Sequence, residues 1–395
     1  MIKEKDLPHG WRKTTIERVS LVDSGQSAPQ GERHYEGREI FVRAGDLNNL
    51  TDGKYVGDFC QKIADSAIKQ YKLKKYAKGS VVFPKSGMSV KTNNIAILKY
   101  DSYVVNHLAI LQPKNLNDGK FLFLLLRKYK ISNLSKNPSY PSIRLSNIRR
   151  FDILWPPKHV RERIVLILEI AEKLKAWRQE ADLYTNEFLK SKFFEMFGHP
   201  LAKTNSLAKS KLREIISIIV PTRDKPKSFT GNIPWVTLPD LADSIYIDDS
   251  KYKLTKDEAK PTKTRLFPKE TVILSCAGSL GKVAIAKREI YSNQQFYGLV
   301  CNKKRLLPEF LAFQLLMFGE DYYRRIGGTS TLTFFKKEAA RNIEIILPEV
   351  GEQEKFAEIV KHVEEMRNNQ KKAKKEIENL YDALMQKAFS GELVA

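Results

Sequence analysis

One layout occurs twice along these 395 residues, and a duplicated chain has to build two bodies of one fold. Phe151-Asp152-Ile153-Leu154-Trp155-Pro156 leads into a charged helical run, and Ile343-Glu344-Ile345-Ile346-Leu347-Pro348 leads into another, with Pro156 and Pro348 192 residues apart. The same offset pairs Arg161-Glu162-Arg163-Ile164 with Gln353-Glu354-Lys355-Phe356, and Phe197 with Phe389. Upstream, Gly37-Arg38-Glu39-Ile40-Phe41-Val42 followed by Asp46-Leu47 matches Gly231-Asn232-Ile233-Pro234-Trp235-Val236 followed by Asp240-Leu241, at an offset of 194. A chain of this length exceeds what one hydrophobic core organises, and the repeat supplies the two cores. The expected layout is a first domain over 1–157, a long helix over 158–199, a second domain over 200–349 and a second long helix over 350–395.

Within the first copy, short β-branched and aromatic runs broken by Gly, Pro and Asn predict strands over 79–83, 94–98 and 103–112, followed by a helix over 120–130. The second copy predicts strands over 271–274, 283–286 and 296–301, then a helix over 307–318. The fold class is α+β, or mixed α/β.

The closing helices carry the clearest periodicity. Phe356, Ile359, Val363, Met366, Gln370, Ala373, Ile377, Leu380 and Leu384 follow a 3-4 spacing. Their counterparts are Ile164, Ile167, Ala171, Leu174, Arg178, Ala181, Thr185 and Phe188, with charged residues between and no internal Pro or Gly. About 37 helical residues make a rod of ~55 Å. Each stripe needs a cover, so the two helices are expected to pair antiparallel as a pseudo-twofold coiled coil, with Arg178 and Gln370 meeting near mid-helix as a polar layer that fixes register.

The charge balance, 68 Lys and Arg against 46 Asp and Glu, gives +22 and points to a polyanionic partner. A pseudo-twofold chain suits a twofold partner such as duplex DNA. Three scattered cysteines argue for a reducing compartment, the apolar runs are too short to span a bilayer, and no His or Cys spacing suggests a metal site. A soluble cytoplasmic protein is expected. Cys276-Ala277-Gly278-Ser279-Leu280-Gly281-Lys282-Val283 ends like a phosphate-binding loop but lacks its first Gly and final Ser or Thr. Asp240, Glu258 and Lys260 mimic a nuclease's Mg²⁺-binding arrangement, in a pattern loose enough to arise by chance. A non-catalytic chain is expected, with a DNA-processing enzyme using those three residues as the distant alternative.

Loops rich in Ser, Thr, Asn, Lys and Arg present donors and acceptors suited to base edges. In the first copy the candidates are Lys85, Ser86, Lys91, Thr92, Asn93 and Asn94, then Ser139, Tyr140 and Arg144. In the second they are Thr222, Arg223 and Lys225, then Ser275, Ser279 and Lys282, then Thr329, Ser330 and Thr331. Asn106-His107 answers the Asn293-Gln294-Gln295 stretch, so loops as well as strands recur.

With these phrases in view, the chain resembles the specificity subunit of type I restriction-modification systems. The resemblance covers essentially the whole length. It rests on the duplicated layout and on Ile233-Pro234-Trp235-Val236, Gly278-Ser279-Leu280-Gly281-Lys282-Val283-Ala284, Ser292-Asn293-Gln294-Gln295, and Ile345-Ile346-Leu347-Pro348 before Glu352-Gln353. The first copy departs where Trp155-Pro156-Pro157 is followed by Lys158-His159-Val160-Arg161 without the usual Gln. The resemblance implies two target-recognition domains, each reading half of an interrupted double-stranded DNA site, with the paired helices as a ruler. It also implies two modification subunits that use S-adenosylmethionine, and restriction or translocase subunits that use ATP and Mg²⁺, leaving this chain no cofactor of its own. A close alternative is the recognition component of a related restriction system with a fused methylase-nuclease partner.

Overall fold

The computed structural model describes residues 7–135, 139, 141–222, 225–241, 244–327 and 334–394. It divides into two compact units, one of Met1–Ala176 with Glu376–Ala395, the other Trp177–Lys375. The division falls inside the long helices, so each unit holds one globular part and a piece of each helix.

In the first unit a five-stranded sheet runs in the order Ser20–Ser24, Leu108–Pro113, Val81–Pro84, Ala96–Leu98, Tyr55–Val56. A four-stranded sheet in the same unit runs in the order Gln61–Ile63, Glu39–Val42, Ser102–Val104, Lys75–Tyr76. Helix Gly119–Tyr129 covers the five-stranded sheet with a wholly buried run, Phe121 to Leu126, which explains why that stretch shows little amphipathic alternation. The expected single strand over 103–112 is instead two strands in different sheets, Ser102–Val104 and Leu108–Pro113, parted by the turn at Val105, Asn106 and His107. Apolar periodicity continues through that turn, since Val105 and Leu108 are both buried, and the break is therefore invisible to a hydrophobicity count.

The second unit repeats the five-stranded sheet: Ile216–Ile219, Phe296–Cys301, Val272–Ser275, Val283–Ala286, Tyr246–Ile247. Both sheets place a parallel pair at the same edge and antiparallel pairs elsewhere. Helix Pro308–Gly327 covers this sheet and outlasts the expected 307–318 because it continues past a kink at Gly319, whose φ of 73° suits a residue without Cβ.

The long helices span Lys158–Phe197 and Val350–Ser390, 40 and 41 residues, or ~60 Å each at 1.5 Å per residue. In the first unit Val160, Ile164, Leu168 and Ala171 share a core with Tyr381, Met385, Ala388 and Phe389. In the second, Leu189, Phe193 and Phe197 share one with Phe356, Val360 and Val363. Within the second unit the direction is antiparallel: Phe193 meets Phe356 with ring centroids 5.3 Å apart, whereas Arg178, earlier on the first helix, meets Gln370, later on the other. With the Gln370 amide turned to match donors with acceptors, its oxygen accepts from Arg178 Nη2 at 2.9 Å and its nitrogen donates to Asp182 Oδ1 at 3.2 Å. The expected polar layer is there.

The stripe itself needs correction at alternate positions. Ile164, Ala171, Phe356 and Val363 are buried, and Arg178, Gln370, Ile377 and Leu384 are half-buried. Leu174, Phe188, Met366 and Leu380 are exposed, while Ile167, Ala181, Ile359 and Ala373 are half-buried, Ile167 and Ile359 packed against the two cores. At four of these eight positions the C-terminal neighbour is the buried residue, Leu168 and Leu189 on one helix and Val360 and Tyr381 on the other, and Lys175 and Arg367 are half-buried beside the exposed Leu174 and Met366. A buried face stepping i, i+4, i+7 has the same seven-residue period as one stepping i, i+3, i+7, and Ile167-Leu168, Phe188-Leu189 and Ile359-Val360 satisfy either. The globular cores break the tie. Phe193, four residues beyond Leu189, is seated among Phe197, Phe310, Phe313 and Phe356.

Where each helix leaves its globular part, a polar latch sits behind the proline. Arg161 donates to Pro156 O at 2.6 Å, holds Asp118 through Nε at 2.8 Å and Nη2 at 3.0 Å, and lies 4.6 Å from the Trp155 ring. Its counterpart Gln353 donates to Pro348 O and Arg305 O, both at 2.9 Å, and accepts from Leu307 N–H at 2.9 Å. All three side chains are buried. The departure noted at Arg161 is thus a change of partner chemistry on one scaffold, an ion pair in place of an amide.

Candidate nucleic-acid interface

Three loops converge at the end of the central strand of each five-stranded sheet. In the first unit Lys85, just past strand Val81–Pro84, donates its N–H to His107 O at 2.9 Å and accepts from Ile143 N–H at 2.7 Å. Gly87 N–H donates to Pro141 O at 3.0 Å, and Ser86 lies opposite Ser142 in an antiparallel bridge. A short two-segment ribbon results. Side chains alternate across such a ribbon, so Ile143 enters the core while Ser142 and Arg144 face outward. Ser86 Oγ joins this outward set by a 2.8 Å hydrogen bond to His107 Nδ1.

The second unit builds the same ribbon. Cys276 N–H donates to Gln295 O at 2.7 Å, Phe335 N–H donates to Cys276 O at 3.0 Å, and Ala277 bridges Phe334. Phe335 is the buried partner; Phe334 and Lys336 are exposed. Gly87 and Gly278 follow at φ of 83° and 79°, left-handed backbone that turns each chain out of its ribbon.

Against this frame the candidate residues separate. Lys85, Ser86, Lys91 and Arg144 belong to the converging loops, with Lys91 and Arg144 exposed. Thr92, Asn93 and Asn94 turn their side chains to the protein: Thr92 Oγ1 donates to Ser89 O at 2.7 Å, Asn93 Oδ1 accepts from Ser132 N–H at 3.2 Å, and Asn94 Nδ2 donates to Asn48 Oδ1 at 2.8 Å. Ser139 is exposed; Tyr140, Arg223, Thr329, Ser330 and Thr331 lie outside the described residues. Ser279 and Lys282 are exposed, but Ser275 is fully buried beneath them, donating to Ser279 O at 2.5 Å and accepting from Lys282 N–H at 2.8 Å. Thr222 Oγ1 is held by Thr262 O at 2.7 Å, and Lys225 Nζ sits 5.9 Å from the Phe229 ring. His107, Ser142, Ala277, Phe334 and Lys336 were not candidates from sequence. The matching of Asn106-His107 to the Asn293-Gln294-Gln295 stretch was the signal for the first, and that of Lys85-Ser86-Gly87-Met88 to Cys276-Ala277-Gly278-Ser279 the signal for Ala277; Ser142, Phe334 and Lys336 show only once the ribbon pairing is known.

The nuclease-like trio is dispersed into structural tasks. Asp240 Oδ2 accepts from Thr237 N–H at 2.8 Å and Glu258 Oε2 from Thr255 N–H at 2.8 Å, each closing a capping box. Hydrogen bonds from the Ser228 hydroxyl, Thr255 N–H and Thr230 hold the Glu258 carboxyl down at about 2. Lys260 pairs with Asp257 at 2.7 Å. Burial pushes the Cys276 thiol up to about 12, which removes it as a nucleophile. Among the described residues no group of His, Cys, Asp or Glu could hold a metal ion, and no helix is long and apolar enough to cross a membrane.

Known proteins agree with this architecture. The profile of the type I restriction modification DNA specificity domain matches twice, over residues 8–181 and 206–379. The Methanocaldococcus jannaschii type I restriction enzyme MjaIX specificity subunit is 30% identical over 178 residues, a match spanning 43% of this chain and 40% of that relative's length. A second M. jannaschii protein, carrying the name MjaX specificity subunit, is 22% identical over 98% of this chain and 95% of its own. The fold is shared with a type I restriction-modification S subunit from M. genitalium, at TM-score 0.59 and 15% identity over 97% of this chain and 98% of that one. It is shared too with a chain of a type I R-M system solved in work on complex assembly, at TM-score 0.61 and 19% identity over 98% and 99%. Two profile matches on two like-built units show that the chain belongs to the type I restriction-modification DNA specificity family.

Proposed function

We propose that this chain is the non-catalytic DNA-specificity subunit of a type I restriction-modification complex, each unit reading one half of a bipartite duplex site. The observation that carries the reading is the paired construction of two ribbons on sheets of the same strand order with different outward side chains, in a chain of net charge +22. A shared scaffold with exchanged surface residues is what two readers of two sequences require, since base contacts specify while cationic contacts to phosphate position. Chemistry resides in partners: modification subunits supply S-adenosylmethionine-dependent methylation, and restriction or translocase subunits use ATP and Mg²⁺. The setting is cytoplasmic.

The long helices support a partner-holding role. In the first unit Leu166, Ile170 and Leu174 step by four along an exposed face. In the second, Trp177, Tyr184 and Phe188 form a similar exposed ridge, with Trp177 60% exposed. Monomeric proteins seldom leave large side chains in ridges like these uncovered, and modification subunits are the partners that would cover them. Sequencing of methylated sites in a host carrying this chain with its modification subunit tests the reading. Exchange of residues 11–155 for another first domain should alter one half of the methylated motif only. Alteration of both halves, or sequence-dependent cleavage by the purified chain alone with Mg²⁺, would overturn it. Trp177→Glu should abolish co-purification with the modification subunit.

A further inference from the structure

The two ribbons differ in chemistry at matched positions. The outward face of the first unit's ribbon is polar: Ser86 and Ser142 opposite one another, His107 bonded to Ser86, Arg144 two residues beyond Ser142. The matched places in the second unit are Ala277 opposite Phe334, with Lys336 two residues beyond. Ala277 and Phe334 have no side-chain donor or acceptor. Phe334 is nonetheless 41% exposed, and its neighbour Phe335 has already filled the core position, so among the described residues the core gives no reason for a second large apolar group to stand outside. The B-DNA major groove admits a two-stranded ribbon, and the one apolar mark among its base edges is the C5 methyl of thymine. Lys336 makes no ion pair among the described residues and is placed to meet a phosphate beside that contact.

Resting on the function proposed above, we infer that the second unit reads a thymine through its 5-methyl group, with Ala277 and Phe334 forming the apolar seat, whereas the matched surface of the first unit reads its half-site by hydrogen bonds. The thymine methyl is therefore a specificity determinant of the second half-site.

The test begins from the methylated motif, with the half belonging to the second unit assigned by domain exchange. Binding of the full chain with its modification subunit is then measured on duplexes in which each thymine of that half is replaced in turn by deoxyuridine, which removes the methyl and nothing else. At one position affinity should fall about fourfold, the factor for losing one buried methyl group. In Phe334→Ala, the duplexes with thymine and deoxyuridine at that position should bind equally well, while preferences in the other half-site stay unchanged. Phe334 is a surface residue, and an unchanged thermal melt separates a lost contact from a lost fold. Absence of thymine from the second half-site, binding indifferent to every deoxyuridine, or methyl dependence that survives Phe334→Ala would each overturn the inference. Loss of sequence preference in both halves for the unmodified chain would instead refute the function on which it rests.

Discussion

Replacement of Arg161 by Gln, the residue its counterpart position carries, isolates what the ion-pair latch contributes. Arg161 and Asp118 are both 8% exposed, and their two contacts at 2.8 and 3.0 Å form a bidentate pair beneath the start of the first long helix. Loss of the guanidinium leaves the Asp118 carboxylate buried without its countercharge, a situation that costs about 3–5 kcal/mol. The 2.6 Å bond to Pro156 O and the contact with the Trp155 ring go as well. For a domain of this size 1 kcal/mol moves the melting temperature by roughly 2–4 °C, so the transition of the first unit should fall by roughly 6–20 °C. Asp118→Asn alone should also destabilise, because the guanidinium then lacks its carboxylate. The double variant Asp118→Asn with Arg161→Gln should be less harmed than the sum, by roughly 1–3 kcal/mol, as neutral amides replace both charges and approach the arrangement seen at Gln353. Differential scanning calorimetry of the four proteins supplies the cycle. Single variants melting within 2 °C of the parent, or losses that simply add, would refute the argument that the pair acts as one buried unit.

Phe193→Ala should cost about 3–5 kcal/mol, since the ring is fully buried among five aromatic neighbours, and chemical denaturation followed by circular dichroism would register it. Glu258 has its folded value lowered from 4.5 to about 2, so its contribution is complete above pH 4.5 and lost as pH falls toward 2; acid melts of Glu258→Gln should lack that part of the decline. Lys91→Ala should weaken binding to all duplexes alike and reduce the slope of log K against log salt by about one, measured by fluorescence anisotropy; a changed motif with an unchanged slope would move Lys91 from phosphate to base contact.

Much of the fold is legible in the chain because duplication supplies its own control. The strand over 283–286 and the helix starting near 120 each recur in the other copy in the same order, and a segment that reads ambiguously in one copy is settled by the other. The failures share a cause. Phe188 and Leu189 serve a heptad count equally, and the core around Phe193 selects Leu189. Thr92, Asn93, Asn94 and Ser275 have the residue types of base readers, yet their hydrogen bonds close loops, because a polar side chain in a turn also satisfies backbone groups. Residue type names what a side chain can bond. It does not name the partner.

The sequence by itself determined that two like domains follow one another, that long helices close each, that the chain is strongly basic, and that no established catalytic motif is present. These properties are carried by local pattern and by composition, which need no third dimension. Only the tertiary structure decided which face of each helix is buried, and that Ser86 and Ser142, or Ala277 and Phe334, stand side by side. The ribbon contacts depend on pairing between segments 56 residues apart in the first unit and 57 in the second, and that long-range register is fixed by what packs beneath it, here Ile143 and Phe335.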